Sequence, residues 1–218
     1  MKLLTLLLIT FFIITACNRP NKEKVHVTQS SLPEIANEKG FEDWANYYRQ
    51  FDPQFSWKKF EKEETDSLQI LAGSVSPVWH SDFKDYYRPL LIFSPDSTRY
   101  IDIDSYLWFI VNENAPDPEI GYSPDQEVNL INLKDSSVNR IAFRGPNQRV
   151  EDAFWIGAQT ISLVENNQEG KPMVTIIDLQ KNTFTYYQYP DSVTTTNGYW
   201  QKRIKKAIDK LPKYLSVL

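Results

Sequence analysis

Asp102 and Asp104 are the two side chains in this chain whose type and spacing best suit paired acid/base chemistry. On a strand, alternate residues point to one face, which would set the two carboxyl groups about 7 Å apart. At such a separation one carboxylic acid can protonate a leaving oxygen while the other activates water, as in glycoside hydrolysis. Ile101 and Ile103 face the other way, so the same run also describes the solvated face of a half-buried strand. That plainer reading is favoured, and the pair is kept as a weak catalytic candidate. A second acidic group, Glu113, Asp117, Glu119, Asp125 and Glu127, falls within residues 112–127, which contain no Lys or Arg. Hard oxygen ligands in a loop can hold calcium. The spacing fits no EF-hand loop, and Pro116 and Pro118 stiffen the stretch. A long acidic loop is therefore read as a candidate recognition surface, with calcium as a minor alternative.

The remaining inventory is thin. Of the two histidines, His26 stands in a polar stretch, and His80 lies beside Asp82 and Asp85 near a turn. The latter three make a weak acid/base or metal cluster, and an exposed loop histidine is the favoured account of His80. One cysteine and two histidines leave no usable set of zinc ligands. No serine sits in a Gly-x-Ser-x-Gly context, and with seven glycines in all there is no phosphate-cradling loop. A net charge of −4 over 218 residues argues against generic nucleic-acid binding, which needs a concentrated basic surface.

The elements that would position these residues follow from periodicity. Ser31 as N-cap, Pro33 in the first turn and Glu34 in the capping-box position start a short helix, which Gly40 should end. Phe41, Trp44, Tyr48 and Phe51 then share one face of a second helix, an aromatic stripe expected to dock on the core. Residues 31–68 thus read as a helical N-terminal segment.

From residue 69 the pattern turns to strands. Residues 69–72, 89–94, 99–104 and 106–111 are candidates, followed by three hairpins: 127–133 with 138–143, 153–156 with 160–164, and 173–179 with 183–189. Short strands joined by short polar turns describe an antiparallel meander over 69–190. In 191–218 the residues Trp200, Ile204, Ala207, Ile208 and Leu211 recur at helical spacing, with Lys202, Arg203, Lys205, Lys206 and Lys210 between them. Such a basic amphipathic helix suits an anionic surface, but docking over a sheet edge is favoured.

The first seventeen residues carry a resemblance. Met1-Lys2 precedes fourteen residues that are apolar except for Thr5, Thr10 and Thr15, and Ile14-Thr15-Ala16-Cys17 closes the run. The run falls short of the roughly 20 residues a spanning helix needs, and its order is that of a secretory signal. The closing tetrad resembles the lipobox of bacterial lipoproteins. The resemblance implies cleavage after residue 16 and acylation of Cys17, so that residues 17–30 form a flexible tether. Loss of Lys2 would leave the mature chain at −5. Asn18 after the cysteine implies the outer rather than the inner membrane of the cell envelope.

An internal echo carries a second resemblance. Residues 128–138 align without gaps on 174–184, an offset of 46, with valine, isoleucine and leucine in register. Ile92-Phe93-Ser94-Pro95-Asp96-Ser97 precedes the first copy. The pattern resembles blades of β-propellers of the WD40 or TolB type, which use a Ser-Pro-Asp-Gly turn and recur every 40 to 50 residues. Ser97 replaces the turn glycine, no Trp-Asp ending appears, and the strand-rich region is too short for four blades.

These readings give a mainly β fold: an antiparallel meander with propeller-like blade units, flanked by N- and C-terminal helices. The function they imply is a lipid-anchored envelope protein that binds or scaffolds a protein or glycan partner, more readily non-enzymatic than enzymatic. The alternatives are a carbohydrate-active hydrolase using Asp102 and Asp104, and an accessory subunit of an envelope complex.

Overall fold

The computed structural model describes residues 32, 35, 38–73, 88–106, 108–111 and 119–208. Helix α1 spans Lys39–Tyr48 and α2 spans Tyr199–Ile208. Between them run twelve strands: β1 (Glu61–Ser67), β2 (Leu71–Ala72), β3 (Ile92–Phe93), β4 (Arg99–Asp102), β5 (Trp108–Val111), β6 (Glu119–Tyr122), β7 (Gln126–Asn132), β8 (Val138–Arg144), β9 (Gln148–Trp155), β10 (Thr160–Asn167), β11 (Pro172–Asp178) and β12 (Thr183–Gln188). The fold is mainly β, with two five-stranded antiparallel sheets ordered β2-β8-β7-β4-β3 and β1-β12-β11-β10-β9, and a separate β5–β6 hairpin. Each sheet is a four-stranded meander with one strand from the N-terminal segment added to its outer edge. Neither sheet closes on itself, so a closed propeller is not formed.

The echo in the sequence is a pair of equivalent hairpins, β7–β8 in one sheet and β11–β12 in the other. Their turns match in detail. Asn132 Oδ1 accepts the Lys134 N–H, and Asp178 Oδ1 accepts the N–H groups of Gln180 and Lys181. Each turn then passes through a left-handed residue, Ser136 at φ 57° and Asn182 at φ 53°. The preceding hairpins, β3–β4 and β9–β10, also correspond, with Ser97 (φ 56°) and Gly157 (φ 87°) in the left-handed region. They stand at a larger offset because β5 and β6 are inserted in the first unit only.

The central strands of the second sheet, β10 and β11, are buried on both faces. Ile161, Leu163 and Ile177 pack against Ile101, Val128, Leu130 and Ile141 of the first sheet. The alternate residues Val164 and Val174 face α1. Two-sided burial explains why β10 is nearly continuous in its burial rather than alternating. On α1, Phe41, Trp44, Ala45 and Tyr48 are fully buried, and the Trp44 ring touches Phe41, Tyr48, Phe55 and Phe60 at centroid distances of 4.8–6.1 Å. Burying each such side chain contributes about 1.5–3 kcal/mol. The aromatic stripe therefore docks on the core, as its spacing predicts.

Four expectations need correction. Gly40 does not end a helix: it sits in the first turn of α1, where an added Cβ would lie 3.1 Å from the Phe154 ring. Glycine is there to let α1 approach β9. Residues 61–67, placed in a helical segment, form the edge strand β1, paired to β12. Its sequence EKEETDS is charged and almost wholly exposed, so no apolar period betrays it, and such charge is a common guard of a sheet edge. The acidic stretch 112–127 is not all loop, because β6 lies within it and pairs with β5. Finally, the C-terminal helix turns in a face shifted from the expected stripe: Ala207 is buried as expected and Trp200 and Ile204 are half-buried, but Tyr199 is buried with them and the Arg203 side chain is only 13% exposed.

Ser97 fixes a measurable cost. A non-glycine residue in the left-handed region is strained by about 1 kcal/mol or more. Ser97→Gly, which writes Ser-Pro-Asp-Gly into the β3–β4 turn, is expected to raise unfolding free energy by about 0.5–1 kcal/mol in urea titrations. Asn182→Gly should gain less, since asparagine tolerates that conformation better.

Candidate functional site

The polar side chains of the fold converge on β9. In its pairing with β10, Val150 faces Glu165 and Asp152 faces Val164, which leaves Glu151 as the extra residue of a β-bulge. A bulge re-aims the side chain that it inserts. Glu151 is 2% exposed and accepts three hydrogen bonds: from Trp44 Nε1 at 2.9 Å, Tyr48 Oη at 2.8 Å and the Tyr199 N–H at 2.8 Å. One carboxylate thus ties α1 and the start of α2 to the sheet, and its charge complements the N-terminal dipole of α2. Burial pushes its pKa up against the pull of these donors.

Arg203 enters beside it from the next turn of α2. Its guanidinium binds both oxygens of Asp104, at 2.9 and 2.6 Å, and its Nε donates to the Glu151 carbonyl at 2.9 Å. This two-point geometry is the strong form of an ion pair. Asp102 does different work. Its Oδ1 accepts the N–H groups of Asp104 and Ser105, both at 2.9 Å, and its Oδ2 the Ser105 hydroxyl, so it closes the turn after β4. Burial raises its pKa. Asp152 lies 3.8 Å from Arg203 Nε, and burial, opposed by the Arg203 charge, pushes its carboxyl up to about 6. A small cleft of about 180 Å³ opens at Asp152 and Arg203, closed otherwise by Leu90, Ile92, Lys206 and Ala207. Chemically, Asp152 can exchange a proton near neutral pH. Asp102 and Asp104 are occupied by the fold.

Two further buried pairs sit in the sheets. Glu165, fully buried, receives Arg144 at 2.6 and 3.0 Å and Gln148 at 2.7 Å. Glu127 receives Arg140 at 2.7 Å.

The structure thus redistributes the residues singled out from sequence. Asp102 and Asp104 are each 3% exposed, not on a solvated face. The strand ends at Asp102, so alternation no longer governs where Asp104 points. Glu127 is not without a cation, since Arg140 thirteen residues later reaches it across the β7–β8 hairpin. Glu119 lies in β6, and Asp125 starts a turn through the Ser123 hydroxyl, which accepts the Asp125 N–H. Cys17, His26, His80, Asp82, Asp85, Glu113 and Asp117 fall outside the described residues. Among the described residues no group of three or more His, Cys, Asp or Glu could hold a metal ion, and no helix is long and apolar enough to cross a membrane. Sequence reasoning misses Glu151, Asp152 and Arg203, because each reads as an ordinary solvent-facing charge until the partner elements are known. The one usable signal was Glu151-Asp152 interrupting the apolar run of β9.

No family model matches the chain, and no curated protein or solved structure matches it either.

Two outcomes follow from this geometry. Burial raises the folded-state pKa of Asp152 to about 6, so at this group the native chain holds more protons than the unfolded one between about pH 4 and pH 6, and burial shifts Glu151 in the same direction. That stabilisation should be fully present below about pH 4 and be lost as pH rises from about 4 to about 6, by on the order of 3 kcal/mol for Asp152, with little further change above about pH 7. Urea midpoints from pH 4.5 to 8 should show this slope, and Asp152→Asn should flatten it. Arg203→Ala strands Asp104 without its partner and should cost about 3–5 kcal/mol, whereas Asp104→Leu with Arg203→Met should recover most of that loss.

Proposed function

We propose that the protein is a lipid-anchored component of the bacterial cell envelope whose folded part binds a partner rather than catalysing a reaction. The observation that carries the non-catalytic reading is the commitment of Asp102 and Asp104 to structural partners. One closes a turn and the other holds Arg203, so neither is free to protonate or activate a substrate. The two sheets support the finer fold reading as blade-like units, each a four-stranded meander with matched turns, joined through side chains and completed by an added edge strand. The anchor rests on the lipobox resemblance at Cys17, with the outer membrane the expected destination. The exposed apolar side chains Ile70, Leu71 and Phe143 favour a protein over a glycan as the partner.

The deciding experiment compares wild type with Cys17→Ser by envelope fractionation and intact mass. The wild-type chain should begin at Cys17, carry acyl mass and sediment with membranes. The variant should lack the added mass and leave the membrane fraction. A chain that stays full length and membrane-bound in both forms would overturn the anchor.

A further inference from the structure

β8 offers an open strand edge beside a cleft. On one side it pairs with β7 along its whole length. On the other, β2 covers only Asn139 and Arg140, and the Gly73 N–H reaches the Val138 carbonyl. Among the described residues no strand pairs with the outer edge of β8 from Ile141 to Arg144, where the Phe143 carbonyl accepts only a side-chain bond from Arg144 Nη1 at 3.1 Å. The connection from β1 to β2 splays away from this edge, and a cleft of about 270 Å³ opens between them. Phe143 and Ile141 form one wall, Phe184 and Tyr186 the other, and Arg144 lies at its base.

Three features say what would occupy it. Unpaired backbone groups along a strand are completed by another strand, the usual mode of edge recognition. Of the four large apolar side chains exposed among the described residues, Phe143 (45%) lines the cleft, and Leu71 (49%) pairs with Arg140 on the same strand, next to Ile70 (45%). The third feature is charge. Pairing of Glu64 with Tyr186 and of Asp66 with Phe184 puts both carboxylates on the same face as the aromatic wall. Neither carboxylate has an ion-pair partner among the described residues. Arg144 is neutralised by Glu165 at 2.6 Å, so the cleft keeps the field of Glu64 and Asp66. Carboxylates above aromatic rings select a cation on an apolar stem. The volume admits a long side chain with its own peptide unit, not a folded element.

We propose that an extended segment of a partner protein adds as a strand along β8 at 141–144 and places a Lys or Arg side chain in the cleft, towards Glu64 and Asp66. The inference deepens the partner-binding reading by naming the partner's chemistry.

The test titrates two short blocked peptides, alternating valine with lysine or valine with glutamate, into the full chain at low and high salt. Amide exchange at 141–144 reports edge pairing. The lysine peptide should bind, slow exchange at those amides and weaken at high salt. Glu64→Gln with Asp66→Asn, both exposed, should lower its affinity roughly five- to tenfold without altering the fold. Phe143→Ser should weaken it as well. Equal binding of the two peptides, absence of protection at 141–144, or indifference to the carboxylate variant would overturn the proposal. So would chitohexaose binding in the cleft where the peptides do not bind. Anchoring is read separately through Cys17→Ser, so failure here leaves the anchor untouched, and loss of the anchor leaves this titration unchanged.

Discussion

The bulge at Glu151 is the constraint on which the rest of the structure depends. β9 is the edge of one sheet and faces β3, the edge of the other, yet no backbone ladder joins them. Side chains do that work. Gln126 donates through Nε2 to the carbonyls of Ile103 and Val150 at 2.9 and 3.1 Å, and accepts the Val150 N–H at 2.8 Å. Trp155 Nε1 donates to the Ile92 carbonyl at 3.0 Å. With Val150 held to the first sheet, the inserted residue after it must turn the other way, into the space beneath α1 and α2. A carboxylate in that space would be costly alone, and it is stable because three donors from two helices meet it. The sheets, the N-terminal helix and the C-terminal helix are therefore registered through two adjacent residues.

This arrangement makes the polar interior one connected unit. Arg203 touches the Glu151 carbonyl, Asp104 and the neighbourhood of Asp152, while Asp102 fixes the turn that presents Asp104. Removing one member leaves others buried without partners, which is why such networks are costly to break yet add modest net stability when intact. Asp152 is the exception in the group, since Arg203 gives its better geometry to Asp104. Its proton is held by burial rather than by a partner. Acid has the opposite effect at the surface turns, where the Ser94 hydroxyl and Thr98 N–H hold the pKa of Asp96 down, the Ser137 N–H that of Asp135, and the Lys181 side chain and N–H that of Asp178.

The legible part of the fold was the part specified locally. The first and last of the three late hairpins appear within a residue of where alternation and turn residues put them, and the middle one has its turn in place but longer strands, β9 starting five residues earlier and β10 ending three later. The stripe of Phe41, Trp44 and Tyr48 docks as helical spacing requires. What could not be read is specified by pairs far apart in the chain. β1 has no apolar alternation, because an edge strand meets solvent on most sides and is selected for charge. Arg203 reads as one more cation on a basic helix, since nothing within its own element shows that Asp104, 99 residues earlier, lies opposite. The Asp102–Asp104 spacing misled for a related reason. Strand geometry holds only while the strand continues, and here Asp102 itself ends it by capping the turn.

The two outer edges of the fold are treated differently, and the contrast follows from the same two-unit plan. Each meander receives one added strand from a single continuous stretch, residues 61–72, which must cross from one sheet to the other at Leu68. The seven residues of β1 cover β12 fully and leave a charged edge, as solubility demands. After the crossing the chain has only two residues paired to β8, so the first unit is completed over less than half the length of its edge. The Ile141 bulge twists the remaining edge away from the crossing segment and holds the cleft open. An uneven division of one short segment between two sheets thus leaves one edge guarded by charge and the other without a pairing strand beside the exposed Phe143.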